Sequence, residues 1–515
     1  MLFEEYRNEP FTDFGDDRNA AAYRAALGAV KDELGRDYPL VIGGEHVETG
    51  EWIESHDPSD SGSLVGRAAA AGPGEIERAF DAAEKAFADW SRLDMADRSR
   101  AMLRVSEVMK RRKFELAAWM SFESGKNWGE ADADVAEAID FIEYYARDAL
   151  KLAKPVLTAG LRGEENTTTL RALGVGVAIP PWNFPLAIMV GTAVGPATVG
   201  NTVIIKPSPN TPIIAAKFME CVAEAGLPAG VLNLLTGQDA VLGDALVDSP
   251  RTRFINFTGS VRTGLRIHER AAKVQPGQNF IKRVYAEMGG KDALIVDETA
   301  DLEAAAEAAV ASAFGFQGQK CSALSRLIVV DEVYDDLLER IVERTKELEV
   351  GPAEVNSSVT PVINETQFDR ILEYIETGKG EGRLVCGGEK AEGDGWFIKP
   401  TIFADVPRGA VIAREEIFGP VLAVVRAADF DEALDIVNDS DYALTGGVFS
   451  QDRYRLTRAR QEFEAGNLYI NRKITGALVG VQAFGGYKLS GDNAKAGGPD
   501  YLRLFMLATT VTERF

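Results

Sequence analysis

Val175-Gly176-Val177-Ala178-Ile179, followed at once by Pro180-Pro181-Trp182-Asn183-Phe184-Pro185, is the stretch on which the fold turns. Small and β-branched apolar residues in an unbroken run fit a strand buried on both faces, and the prolines stop it in a stiff loop. The pattern recurs in Val203-Ile204-Ile205, Val231-Leu232-Asn233-Leu234-Leu235 and Arg253-Phe254-Ile255-Asn256-Phe257, with helical segments between. Such alternation predicts a parallel sheet covered by helices on both sides. A second set begins at Ala293-Leu294-Ile295-Val296 and continues past Leu327-Ile328-Val329-Val330, so a second α/β unit is expected, with Gly289-Gly290 as the hinge.

Upstream, Ile76, Phe80, Ala83, Phe87 and Trp90 form one apolar helical stripe after a polar lead-in. Further helices are expected over about 102–119 and 132–150. Leu186 to Ile205 is apolar, but Gly191, Gly195, Pro196, Gly200 and Asn201 divide it into a short buried helix, a turn and a strand rather than a membrane span. Lys154 to Leu173 predicts two strands around Gly163-Glu164-Glu165-Asn166, and Tyr501 to Val511 is an apolar, β-rich tail. An apolar terminal strand presents a pairing edge, which predicts a homo-oligomer, a dimer or a multiple of dimers.

At 515 residues the chain is long enough for two or three domains, and 46% apolar content supports large cores. Its net charge of -23 argues against a nucleic-acid partner or an acidic membrane surface; the excess carboxylate reads as a solvating surface. Cys221, Cys321 and Cys386 are odd in number and unpaired in spacing, which fits a reducing cytoplasm and no disulfide framework. The three histidines show no metal-ligand spacing, so no metal is expected. The N-terminus lacks the features of a signal peptide.

Cys321, in Phe316-Gln317-Gly318-Gln319-Lys320-Cys321-Ser322, is a candidate nucleophile. Its polar, cationic neighbours predict a stabilised thiolate, against the commoner fate of a lone cysteine as a buried structural thiol. Glu287, in Ala286-Glu287-Met288-Gly289-Gly290-Lys291, is a candidate general base or a solvated carboxylate. A thiol that attacks and a carboxylate that activates water are the two protein groups needed to oxidise an aldehyde through a thioester. Asn183 is placed either to donate to an oxyanion or to cap the next helix. Lys206, opening Lys206-Pro207-Ser208-Pro209 at a strand end, either meets a dinucleotide ribose or is solvated. In Phe257-Thr258-Gly259-Ser260-Val261-Arg262-Thr263-Gly264, Ser260 and the following amides fit a pyrophosphate or an ordinary helix cap, and no G-x-G-x-x-G fingerprint occurs.

Together and in this order, these segments resemble the NAD(P)-dependent aldehyde dehydrogenase superfamily over nearly the whole chain. The resemblance implies an α/β fold of two Rossmann-like parallel-sheet domains with a small β oligomerisation element. A dinucleotide-binding domain would take 1–153 and 174–288, a catalytic domain 289–488, and the oligomerisation element 154–173 and 489–515. It implies Cys321 as nucleophile, Glu287 as base, and Asn183 with the Cys321 amide as oxyanion hole. Cofactor would be held by Ile179, Pro180, Trp182, Lys206, Ser208, Gly259, Ser260, Gly264, Met288, Glu416 and Phe418, the last two in Glu415-Glu416-Ile417-Phe418-Gly419-Pro420.

Within the superfamily, Ser124-Gly125-Lys126-Asn127-Trp128, Thr475-Gly476-Ala477-Leu478 and Gln482-Ala483-Phe484-Gly485-Gly486 resemble the branch acting on 1-pyrroline-5-carboxylate, the cyclised form of glutamate semialdehyde. By that resemblance, Ser322, Gly476 and Ala477 anchor the substrate carboxylate, Phe184 and Phe484 pack on its aliphatic middle, and Glu137 meets its ammonium. Another semialdehyde or a broad aliphatic aldehyde is the alternative substrate. A non-catalytic nucleotide-binding or structural protein, or a thiol acyltransferase or cysteine hydrolase, is the alternative class. NAD is the expected cofactor. Pro209 stands where NAD-preferring relatives often carry a ribose-holding glutamate, so NADP is expected to be tolerated as well. Ala483, where relatives often have proline, predicts a looser loop.

Overall fold

The computed structural model describes residues 4–157 and 159–515. Its framework is two seven-stranded sheets. The first runs in the order Arg283–Glu287, Phe254–Thr258, Val175–Ile179, Thr202–Ile205, Leu232–Leu234, Leu40–Ile42, Glu45–Val47. Its first five strands are parallel, as the apolar runs predict. Leu40–Ile42 and Glu45–Val47 then join antiparallel, as a hairpin that the polar lead-in did not announce. The second sheet is Arg383–Cys386, Thr401–Ala404, Val421–Ala427, Leu324–Val330, Asp292–Val296, Thr445–Phe449, Asn467–Ile470, all parallel except the first pair.

Helices cover these sheets for legible reasons. Pro73–Trp90 starts where the Glu75 carboxylate accepts from the Gly72 N–H at 2.9 Å, and it buries Ile76, Phe80, Ala83 and Trp90. Burying each large apolar side chain contributes roughly 2 kcal/mol. The helix expected over 102–119 is two, Met95–Arg111 and Lys113–Ser124. The one expected from 132 starts earlier, as Trp128–Ala149, because the Asn127 side chain caps Glu130 N–H at 3.0 Å. A further helix, Asp17–Lys31, and the small sheet of Arg36–Tyr38, Asp60–Ala69 and Trp52–Asp57 occupy the lead-in.

A further three-stranded sheet pairs Met506–Arg514 with Glu164–Ala172 and the latter with Val156–Leu157, antiparallel. Glu164, Glu165 and Asn166 are therefore strand, not turn, because the tail supplies them with partners. The tail also differs from expectation. Tyr501–Phe505 is a 3-10 turn whose Tyr501, Leu502 and Phe505 enter the core beside the first sheet, with Tyr501 stacked on Tyr145 at 5.3 Å. Only Met506 onward stands out as a strand.

Gly176 marks a steric constraint in the first sheet. It lies opposite Phe254, and a Cβ there would come 1.9 Å from the fully buried ring. Gly176→Ala should therefore destabilise the chain by about 3 kcal/mol, read as a lower denaturant midpoint; an unchanged midpoint would show that the ring can yield.

Candidate active site

The carboxyl ends of the first sheet's strands open onto a cleft of 970 Å³. From Val175–Ile179 come Pro180, Trp182 and Asn183; from Thr202–Ile205, Lys206 and Ser208; from Phe254–Thr258, Gly259 and Ser260. Met288, Gly289 and Cys321 lie along it, and Gln367, Arg370, Glu416 and Phe418 come from the other sheet's side. Trp182 and Phe418 meet edge to face at 5.4 Å. Ser260 caps helix Val261–Ala271, its Oγ accepting from Thr263 N–H at 3.3 Å. Gly264 is buried behind the lining, where a Cβ would come 2.4 Å from the Met288 sulfur. The volume, the helix terminus and the bare glycine wall fit a dinucleotide.

Several lining residues were not anticipated: Asp239, Arg262, Arg266, Gln367 and Arg370. Arg370 donates to the Glu416 carbonyl at 2.7 Å and so holds the segment bearing Phe418. It belongs to helix Glu365–Glu381, and nothing in the local sequence marks it. Arg262 lies inside a segment already singled out, where a cation beside a phosphate-binding turn was a usable signal.

Glu287 ends the edge strand of the first sheet, and Asp292 opens a central strand of the second, so Met288–Lys291 crosses between them. A Cβ on Gly289 would meet the Glu416 carboxylate at 2.4 Å, and one on Gly290 the Cys321 carbonyl oxygen at 2.4 Å. The Gly290 N–H donates to Glu416 at 3.0 Å. This close approach brings the Glu287 carboxylate and the Cys321 thiol within electrostatic reach of each other. The Glu287 carboxylate accepts from Gly486 N–H at 3.2 Å, while its other oxygen is buried without a hydrogen-bond partner. Burial, then Asp492, hold its pKa well above the usual carboxylate range, opposed by the Gly486 bond and Lys495.

The expected stabilised thiolate is not what the structure holds. Burial, with Asp292, Glu287, Glu416 and Glu137 around it, raises the Cys321 thiol well above its ordinary pKa. The cation next door is occupied, since Lys320 pairs with Glu130 at 2.6 Å. Adjacency in sequence overstated its effect. Asn183, also buried, donates through Nδ2 to the Gln319 carbonyl at 2.9 Å and does not cap the following helix. One amide N–H of Asn183 is thus used to fix its plane beside the nucleophile loop.

The residues expected at the substrate end lie outside the cleft lining. Phe184 lies against the fully buried Lys126 ammonium, 4.2 Å from the ring centre, with Phe316 at 4.0 Å on another side. Glu137 is half-buried, and burial with Asp134 pushes its carboxyl up to about 8. Ser322, next to the nucleophile, receives the Thr445 hydroxyl on its carbonyl at 3.3 Å. Gly476 takes a positive φ of 75° and is exposed beside Ala477. Phe484 pairs with Ala496 through N–H···O bonds of 2.9 and 2.8 Å, and the Ala483 carbonyl accepts from Asn467. The loop expected to be loose is thus pinned by hydrogen bonds rather than by a proline.

Among the described residues no cluster has the makings of a metal site, and no helix is long and apolar enough to cross a membrane. The sequence model of the aldehyde dehydrogenase family matches residues 46–511. The 1-pyrroline-5-carboxylate dehydrogenase of Geobacillus kaustophilus is 55% identical over 515 residues, covering 100% of both chains. The 1-pyrroline-5-carboxylate dehydrogenase 2 of Bacillus subtilis is 52% identical over 511 residues, 99% of each. The crystal structure of the Thermus 1-pyrroline-5-carboxylate dehydrogenase with bound NAD superposes with a TM-score of 0.99, at 55% identity and full coverage of both chains. With the Cys321 loop, Glu287 and the cleft placed as described, and with the family match running along residues 46–511, this protein belongs to the aldehyde dehydrogenase family.

Proposed function

We propose that this chain oxidises L-glutamate 5-semialdehyde, in equilibrium with 1-pyrroline-5-carboxylate, to L-glutamate with NAD, a step of proline degradation. The observation that carries it is that the Glu287 carboxylate acts on the Cys321 thiol beside a cleft sized for a dinucleotide, with the Cys321 carbonyl lying against Gly290 of the crossing that follows Glu287. Full-length similarity to the Geobacillus and Thermus enzymes supports the substrate.

In this reading the Cys321 thiol first gives its proton to solvent water, and the sulfur then attacks the aldehyde carbon, forming a C–S bond as the carbonyl π pair moves onto oxygen. The carbonyl oxygen becomes an oxyanion held by the free N–H of Asn183 Nδ2 and the Cys321 backbone N–H. Bound NAD supplies the acceptor for the hydride that leaves this carbon, and a thioester is left on Cys321. Glu287 takes a proton from water, which adds to the thioester; the C–S bond breaks and the carboxylate product leaves. A raised thiol pKa leaves less resting thiolate but a stronger nucleophile once the proton has gone. Gly476 and Ala477 present backbone N–H groups to the α-carboxylate, Ser322 adds a donor, Phe184 and Phe484 cover the methylenes, and Glu137 takes the ammonium.

A homo-oligomer and a cytoplasmic site belong to the same proposal. Val156, Leu157, Leu161, Leu507, Val511 and Phe515 are exposed apolar residues on or beside the sheet of Met506–Arg514, Glu164–Ala172 and Val156–Leu157. An apolar patch on a paired sheet is where a second copy would bury surface.

Reduction of NAD followed at 340 nm should be fastest with pyrroline carboxylate, at least about tenfold over succinate semialdehyde and propanal by kcat/KM; parity among the three would point to a broad aldehyde dehydrogenase. Cys321→Ser should cut turnover at least a thousandfold, and Glu287→Gln should give a burst of NADH followed by steady-state turnover about a hundredfold slower. Because the Glu287 carboxyl is raised, its basic form appears only as pH rises, so hydrolysis should accelerate toward alkaline pH. Asp492 and Lys495 act on it, Cys321 and Tyr501 are titratable neighbours that it acts on, and Lys495→Met removes the one favourable charge. That variant should shift the limb to higher pH and slow turnover several-fold at neutral pH; an unmoved limb would dissociate it from Glu287. Light scattering on the full chain should give a multiple of the single-chain mass, lowered by deleting Met506–Phe515; a monomer in the full chain would sink the oligomer.

A further inference from the structure

Two adjacent strands of the first sheet place a charge pair in the cleft that neither strand announces. Thr202–Ile205 and Leu232–Leu234 run parallel, with Leu234 opposite Ile205. Their carboxyl ends lead into Lys206 and, after a short loop, into Asp239, the first residue of helix Asp239–Asp248. The Lys206 ammonium is buried and contacts the Asp239 carboxylate; it also donates to the Pro207 carbonyl at 3.3 Å. Asp239 itself is exposed, and both residues line the cleft with Ser208, Pro209 and Ser260. An ammonium and a carboxylate in contact offer a donor and an acceptor to the same pair of vicinal hydroxyls. Open α/β sheets bind dinucleotides outside the strand ends, and there a carboxylate accepting from the ribose 2′-hydroxyl distinguishes NAD from its 2′-phosphate.

We infer that Asp239 is the residue through which this chain selects NAD over NADP, taking by tertiary placement the part that Pro209 cannot play. The inference rests on the dinucleotide reading of the cleft. A 2′-phosphate adds up to two negative charges and would stand against the Asp239 carboxylate, which already engages the nearest ammonium. The other cations on the cleft compensate poorly. Arg266 is paired with Asp244, and Arg370 is spent on the Glu416 and Ile417 carbonyls. Arg262 lines the cleft with no ion pair among the described residues, and is the residue most able to oppose Asp239. Tolerance of NADP, expected from Pro209 alone, is therefore not expected of the folded chain.

Fluorescence titration of the full-length protein with NADH and NADPH, alongside kcat/KM for NAD and NADP, tests this. Wild type should bind NADH at least tenfold more tightly than NADPH. Asp239→Asn should narrow that ratio at least fivefold, chiefly by strengthening NADPH as Lys206 is released, while Asp239→Glu keeps it near the wild-type value. Equal wild-type affinities, or a ratio that moves less than twofold in Asp239→Asn, would overturn the inference; so would a ratio that responds to Arg262→Ala alone. Binding needs no turnover, so the two proposals fail separately. Selective NADH binding without oxidation of pyrroline carboxylate sinks the substrate; turnover without cofactor selection sinks Asp239.

Discussion

Four residues, Met288 to Lys291, join the edge of one sheet to the centre of the other, and the site depends on how little room they take. The carboxylate of Glu416 lies against Gly289 and the carbonyl of Cys321 against Gly290, each at a distance that a Cβ would forbid. Neither glycine has a positive φ. Their value lies in the missing side chain, which lets the two sheets converge until the Glu416 carboxylate and the Cys321 carbonyl close on the crossing beside the cleft.

That convergence has an electrostatic consequence. Four carboxylates act on the Cys321 thiol, and the local cations are committed elsewhere: Lys320 to Glu130, and Arg326 to the carbonyls of Lys291, Ile436 and Val437. Asp292, next to the crossing, is itself buried and raised well above its usual range, and Lys291 is pushed down to about 7, by burial first. Burial thus pushes each of these groups toward its uncharged form, in a setting where a bound ligand's charge would act with little screening.

Much of the framework was legible. The buried parallel strands were marked by apolar runs too continuous for a half-exposed sheet, and the helices by periodic stripes such as Ile76, Phe80, Ala83 and Trp90; the Asn127 cap, which starts one helix four residues before the expected 132, was not read. The hairpin at Leu40 to Val47 was not, because two three-residue strands give too few alternations to register a period. Glu164 to Asn166 looked like a turn and became strand only because Met506–Arg514 pairs with it across more than three hundred residues. The charge on Cys321 was misjudged for a related reason: Lys320 adjoins it in the chain but points to Glu130.

By itself, the sequence determined which residue types stand at strand ends and which segments are too apolar or too glycine-rich to be elsewhere than in the core or in tight passages. Local preference and burial decide those. Only the tertiary structure decided which side chains act on one another: that Arg370 steadies Glu416, that Lys495 acts on Glu287, and that Asp239 meets Lys206. Electrostatic and hydrogen-bonded effects fall off within a few ångströms through space, and separation along the chain carries almost no information about that distance.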